Sequence, residues 1–406
     1  MRHLCRLFAP PWPLEIAALL CLALIIPLFE SPKSVLTIAI ILGWLLRYFI
    51  LERSIRPVVA LDWAGLARLA AILVAGLYGV HLLNDWGRLL QVNHDMLLVV
   101  LLILVARAGH SDRIARLVLA ALVAGSVLGL GSLVVWPDQP SVAHSAILAL
   151  SNANVTGFYL ALTASITAGF LIETVRQRRW VWAAVLAAIL LAHFAGVAYT
   201  GSRAGALMTI TGIAVIMVLG LGWRRGALAL LGFGLLAALI ALSFDSRLVE
   251  RLAQGFGPEF FTYRDSIWVC GWHAFLQSPW LGYGPDNFPA ASGGLFGPVE
   301  GCMTSRDHAH NLLLNVMVDT GLLGATTFVW LVVEVVRRLR AARAIAERSF
   351  VVWASGVAAM ALVAVGGLVD DIVANEPNYA FGLIVGLAIA EAVPRWRRKW
   401  PATGPD

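Results

Sequence analysis

Two arginines and a histidine stand out in a chain that carries few charges. Arg203 sits in Tyr199-Thr200-Gly201-Ser202-Arg203-Ala204-Gly205, Arg264 precedes a helical pattern in a long polar stretch, and His310 closes that stretch. A guanidinium is permanently charged and forks onto phosphate oxygens through two parallel hydrogen bonds, so a pair of them suits a diphosphate. Each arginine alone reads equally well as an interfacial residue with its stem in lipid. The glycines and serine around Arg203 favour a ligand, because small neighbours allow close backbone approach. A neutral imidazole accepts a proton near neutrality, and a helix start, where His310 is expected to stand, disfavours the charged form. His310 therefore suits a general base, against the ordinary alternative of a cap or interface residue.

Other polar groups surround these three. Asn311, Asn315 and Asp319 recur at four-residue spacing and share a helix face. An acid inside an apolar span faces a bundle interior or a wet cavity. Gly321 and Gly324 lie deeper and read as packing residues. Ser151, Asn152, Asn154, Thr156 and Tyr159 form a second polar cluster, readable as helix capping or as substrate contacts. Asp370, Asp371 and Glu376 form an acidic patch on the last outside turn, able to bind sugar hydroxyls or nothing. His308 and His310 with Asp307 or Asp286 make a weak metal-ligand spacing, and the expectation is a site without metal or cofactor. Cys5 and Cys21 lie at or in the first helix, without metal-ligand spacing; Cys270 and Cys302 share the outside stretch as either a disulfide or two thiols.

The elements that must position these groups are membrane helices. The 406 residues are 60% hydrophobic and 13% charged, against about 25% charged in soluble domains. Apolar runs near the roughly 20 residues needed to cross a bilayer recur from end to end. Spans are expected at about 14–30, 34–50, 58–83, 94–108, 114–136, 142–174, 180–199, 203–222, 225–243, 311–336, 349–370 and 378–394. The sixth is too long for one straight span, so 142–152 should be interfacial. The expected fold is an all-α polytopic membrane protein, one transmembrane domain over 1–406, with a partly helical outside loop at 244–310.

Charge sets the orientation. With the N-terminus inside, the outside segments hold only Lys33, Arg88, Arg203, Arg247, Arg251, Arg264 and Arg306; Arg68 lies within a span, and the rest of the 30 Lys and Arg fall inside. This positive-inside bias puts both termini in the cytoplasm. The net charge of +6 thus reports orientation, not nucleic-acid binding. The first span lacks a small-residue cleavage pattern and reads as an uncleaved helix. Within 244–310, residues 263–277 read as a helix that Pro279 stops, Gly282, Gly284 and Pro285 form a turn, and Gly293, Gly294, Gly297 and Pro298 make a flexible half that suits a lid. No repeat, soluble domain or nucleotide-binding glycine loop is present.

The pattern His310-Asn311, nine residues, Gly321, two residues, Gly324 resembles the signature of bacterial O-antigen ligases. These share a wider group with O-antigen polymerases and protein O-oligosaccharyltransferases. The Ser202-Arg203 turn, Arg264 before an outside helix, the Pro279-to-Gly284 segment and the Asn152/Asn154 cluster match that group in order and layout. The resemblance implies a multi-span glycosyltransferase of the bacterial inner membrane. It would move a polysaccharide from undecaprenyl diphosphate to lipid A–core oligosaccharide at the periplasmic face, by one inverting, metal-independent displacement. His310 would be the base and Arg203 and Arg264 the diphosphate clamp. Asn152, Asn154, His308, Asn311 and Asp319 would contact substrate. A polymerase or a protein ligase of the same group is the near alternative; the chain's end soon after the last span favours the lipopolysaccharide ligase. A lipid-linked glycan transporter would show midplane charges, broken helices and repeats, whereas most polar residues here gather at one face.

Overall fold

An apolar run in lipid must satisfy its own backbone, and a helix does so within one segment. The computed structural model describes residues 13–46, 60–83, 93–108, 111–135, 150, 152–243, 264–292, 308–344, 349–371 and 377–390. Among them are helices and no strand: α1 (Pro13–Ile25), α2 (Glu30–Leu46), α3 (Ala60–Leu83), α4 (Asn93–Ala108), α5 (Asp112–Val135), α6 (Ala153–Arg176) and α7 (Trp180–Thr200). There follow α8 (Arg203–Leu221), α9 (Trp223–Ser243), α10 (Arg264–Gln277), α11 (Phe288–Ser292), α12 (Leu312–Ala342), α13 (Phe350–Gly366) and α14 (Pro377–Ile389). Six of these, α3, α5, α6, α7, α8 and α12, are long and apolar enough to cross a membrane; α1, α2, α4, α13 and α14 are apolar but shorter. The protein is an all-helical membrane protein. Lys33, expected in a turn, stands in α2 and is buried. Most of the expected interfacial stretch 142–152, together with 244–263 and 293–307 of the long loop, lies outside the described residues.

α6 is the axis of the bundle. Every residue from Val155 to Gly169 is buried, packed by α7, α8 and α13. Small residues permit this. A Cβ on Gly157 would stand 2.8 Å from the Cα of Gly205, and one on Gly212 would stand 2.1 Å from Ser165 Oγ, so α6 and α8 approach with backbone nearly against backbone. The ends of the bundle differ in chemistry. At one end Arg107 pairs with Asp62 at 2.9 Å, Arg116 with Glu173 at 2.6 Å, and Asp112 caps Ser349 N at 2.8 Å. The starts of α6, α8 and α12 and the end of α13 meet at the other.

α12 is broken at Gly321, whose φ of 61° and ψ of −163° form a backbone state that essentially only glycine adopts. A break strands carbonyls above it and N–H groups below. The long loop returns to satisfy them. Tyr283 and Gly284 donate to the Val318 and Asp319 carbonyls at 2.9 and 2.8 Å; Leu322 and Leu323 donate to the Pro279 and Trp280 carbonyls at 2.8 and 3.3 Å. From the other side buried Arg68 of α3 donates to Thr320 Oγ1 and the Gly324 carbonyl, each at 3.1 Å. The Pro279–Gly284 turn is therefore a staple, reaching roughly 14 Å along α12 from Leu312 at about 1.5 Å per residue. Gly321 does more than the packing expected of it. A broken helix is one mark of a transporter, yet these four backbone groups bind protein and are not presented to a ligand.

A Cβ at Gly321 would lie 2.3 Å from the Trp280 carbonyl carbon. Gly321→Ala should cost about 2–5 kcal/mol from strain and overpacking together, read as a large fall in the thermal midpoint of the detergent-solubilised protein. Gly43→Ala in α2 is the matched control, since nothing lies within 4 Å of its Cβ position. Equal midpoints for the two variants would refute the staple.

Candidate active site

The site is organised by one carboxylate. Asp370 sits in the turn after α13, its side chain 5% exposed. Its Oδ1 accepts from His310 Nδ1 at 2.7 Å, His308 Nε2 at 3.2 Å and its neighbour's backbone, Asp371 N, at 3.0 Å. Its Oδ2 accepts from the Asn154 side-chain amide in a short bond. Burial pushes the Asp370 carboxyl up, but the hydrogen bonds and charges of His308 and His310 outweigh it and hold the group well below the usual carboxylate range. Asp370 is thus an anion at neutral pH. An anion accepts, so in the neutral form of the His310 ring the proton sits on Nδ1 and the lone pair is on Nε2.

The sequence placed His310 at the helix start. The structure corrects this: Asn311 is the N-cap, its Oδ1 accepting from Leu314 N at 3.0 Å, and α12 begins at Leu312. His310 lies one residue outside, at a φ of 48°, a left-handed conformation that costs a non-glycine residue of order 1–3 kcal/mol. Its neighbours hold it there. Trp268 Nε1 donates to the His310 carbonyl at 3.2 Å, and Ala309 N donates to Asn315 Oδ1 at 3.0 Å. The tautomer is fixed by Asp370, not by a helix dipole.

Asn154 and Ser202 connect this dyad to the turn of Arg203. Ser202 Oγ donates to Asn154 Oδ1 at 2.6 Å while accepting from Gly205 N at 2.9 Å as the N-cap of α8. Arg203, half-buried, is the first residue of that helix. The Gly157–Gly205 approach brings the two partners into reach. An unbroken chain of side-chain hydrogen bonds therefore runs from Ser202 through Asn154 and Asp370 to His310. Arg264, also half-buried, opens α10 four residues before Trp268. Residues four apart share a helix face, so Arg264 stands on the face of α10 that reaches His310.

The remaining expected residues divide into two groups. Asn152 is the N-cap of α6, accepting from Asn154 N and Val155 N, and Asn311 caps α12 while its amide donates to the Leu368 carbonyl at 3.2 Å; both serve backbone. Asp319 belongs to a buried cluster in which Asn315 Nδ2 donates to Asp319 Oδ2 and Asp371 Oδ2, each at 2.8 Å. Arg68, Asn315, Asp319 and Asp371 line a cavity of about 90 Å³ together with apolar residues of α4, α12, α13 and α14. Asp286 lines this cavity. Among the described residues the acid grouped with His308 and His310 at metal-ligand separations is Asp370, not Asp286; Asp307 and Glu376 lie outside the described residues. The expected surface patch at 370–371 is instead buried, Asp370 at 3% and Asp371 at 5% exposure. Cys270 is disulfide-bonded; Cys302 lies outside the described residues.

Residues 188–329 match the protein family described as O-antigen ligase. The match runs from within α7 into α12, covering Arg203, Arg264, His308, His310 and Gly321, and stops short of Asp370. No curated protein matches the chain.

Proposed function

Taking the O-antigen ligase domain as premise, we propose that this membrane protein is a glycosyltransferase that moves O-antigen polysaccharide from undecaprenyl diphosphate to lipid A–core oligosaccharide. The observation that carries the reading is the 2.7 Å bond from His310 Nδ1 to Asp370, tied through Asn154 and Ser202 to the Arg203 turn. The acceptor hydroxyl docks against His310 Nε2. As its oxygen attacks the anomeric carbon, its proton passes to Nε2, and the bond from that carbon to the diphosphate oxygen breaks on the opposite side. The product is inverted at that carbon. Negative charge grows on the departing undecaprenyl diphosphate, where Arg203 and Arg264 meet it with fixed donors. The imidazolium keeps its Nδ1–H bond to Asp370, whose charge stabilises it. His308 lines the acceptor side. The arginine-rich end of the bundle faces the cytoplasm by the positive-inside rule, so both termini are cytoplasmic and His310 faces the periplasm.

Purified protein incubated with lipid-linked polysaccharide and lipid A–core should yield a laddered lipid product. Growth of the lipid-linked chain with the core untouched would make the protein a polymerase instead. Transfer should proceed at full rate in excess chelator, because two arginines neutralise the diphosphate. Loss on chelation with recovery on adding one metal would turn His308, His310 and Asp370 into catalytic ligands.

A further inference from the structure

Beyond acid–base chemistry, His308, His310 and Asp370 have the composition of a transition-metal site. One ligand atom from each lies within 4.8 Å of the others. Two of the edges are already short: Asp370 Oδ1 to His310 Nδ1 is 2.7 Å and to His308 Nε2 is 3.2 Å. Ligands about 2.0–2.2 Å from zinc stand about 3.3–3.6 Å apart in a tetrahedron, so small movements open the group around an ion. The two histidine side chains are 28% and 19% exposed while Asp370 is 5% exposed, so solvent reaches the group from the imidazole side. Two imidazoles and one carboxylate suit zinc, cobalt, nickel or copper and not the all-oxygen preference of magnesium or calcium.

We propose that this triad binds one divalent ion of the zinc class, and that the bound ion inhibits transfer. A metal on His310 Nδ1 takes the lone pair that a neutral ring has there only when its proton sits on Nε2. The ring loses the Nδ1 proton and gains one on Nε2, with no net change for a neutral histidine. The nitrogen needed to accept the acceptor's proton is then an N–H donor. Metal binding itself is independent of the proposed reaction; the inhibition rests on the base role of His310.

The test is a cobalt titration of the metal-stripped, full-length protein in detergent, read by visible d–d absorption. One equivalent should develop a spectrum that zinc displaces and millimolar magnesium does not. His308→Gln should weaken cobalt binding about tenfold or more, while His273→Gln, at an exposed position of α10, should leave it intact; circular dichroism and monodisperse elution show that each variant is folded. In transfer assays zinc should inhibit the parent, chelator should reverse it, and the residual activity of His308→Gln should resist zinc. Absence of the spectrum, or a spectrum that His308→Gln leaves unchanged, overturns the site. Stoichiometric binding without inhibition overturns the inhibitory half and leaves the metal site standing.

Discussion

His310→Ala is expected to lower the transfer rate by about two orders of magnitude or more, the usual contribution of a positioned acid–base group, with donor binding mostly retained. His308→Ala should lose much less. The structure gives the asymmetry a geometric basis, although both rings bond the same Asp370 oxygen. His310 is held at both ends, by Asp370 at Nδ1 and by Trp268 at its carbonyl, and in the neutral ring its lone pair is on Nε2. His308 spends its Nε2 on Asp370 at 3.2 Å. Asp370→Asn should fall with His310→Ala, by about 10²–10⁴-fold, because an amide offers the ring either nitrogen's partner and removes the charge that stabilises the imidazolium. Rates must be compared at saturating donor and acceptor, so that weak binding does not pass for slow chemistry. The folded-state pKa of Asp370 is depressed, so its contribution is present above the ordinary carboxylate range and is lost only as pH falls through the lower folded value. Any loss of rate between about pH 5 and 8 thus comes from another group. An active His310→Ala beside a dead His308→Ala would show that the wrong ring was assigned the base role.

How much of this was readable in the residues depends on the range of the contact. Helices were legible because apolar length is local: α10 spans Arg264–Gln277 where apolar periodicity and Pro279 put 263–277. The arginines and His310 were legible because small neighbours and a fixed spacing mark them. Asp370 was seen only as part of an acidic patch. Its partners lie 60 and 216 positions away, and no periodicity within one helix reports a pairing between the turn after α13, the loop before α12 and the first turn of α6. The break in α12 was hidden for the same reason. Gly321 and Gly324 look like packing glycines until Pro279–Gly284 is seen inserted between the half-helices. At His310 the helix starts later than its position suggests, because Asn311 takes the cap and leaves the histidine outside.

Arg203→Ala and Arg264→Ala should each reduce transfer by roughly 30- to 1000-fold, the effect of losing about 2–4 kcal/mol of transition-state stabilisation at a desolvated phosphate. Both variants should fold. Arg203 is the first residue of α8, and the cap of that helix is made by Ser202 Oγ on Gly205 N, which the substitution leaves alone. Arg264 opens α10, whose buried face is formed by Ile267, Cys270, Gly271, Ala274 and Phe275 and does not depend on the guanidinium. Lysine should rescue either position poorly, since an ammonium is a point charge without the planar fork. The loss should appear in the rate at saturating donor as well as in donor affinity, because charge on the leaving diphosphate grows as the glycosidic bond breaks and the arginines meet more charge in the transition state than in the ground state. A variant whose rate is fully restored by raising the donor concentration would assign that arginine to binding alone. Near-parental activity in Arg203→Lys or Arg264→Lys would show that two-pronged geometry is not needed there.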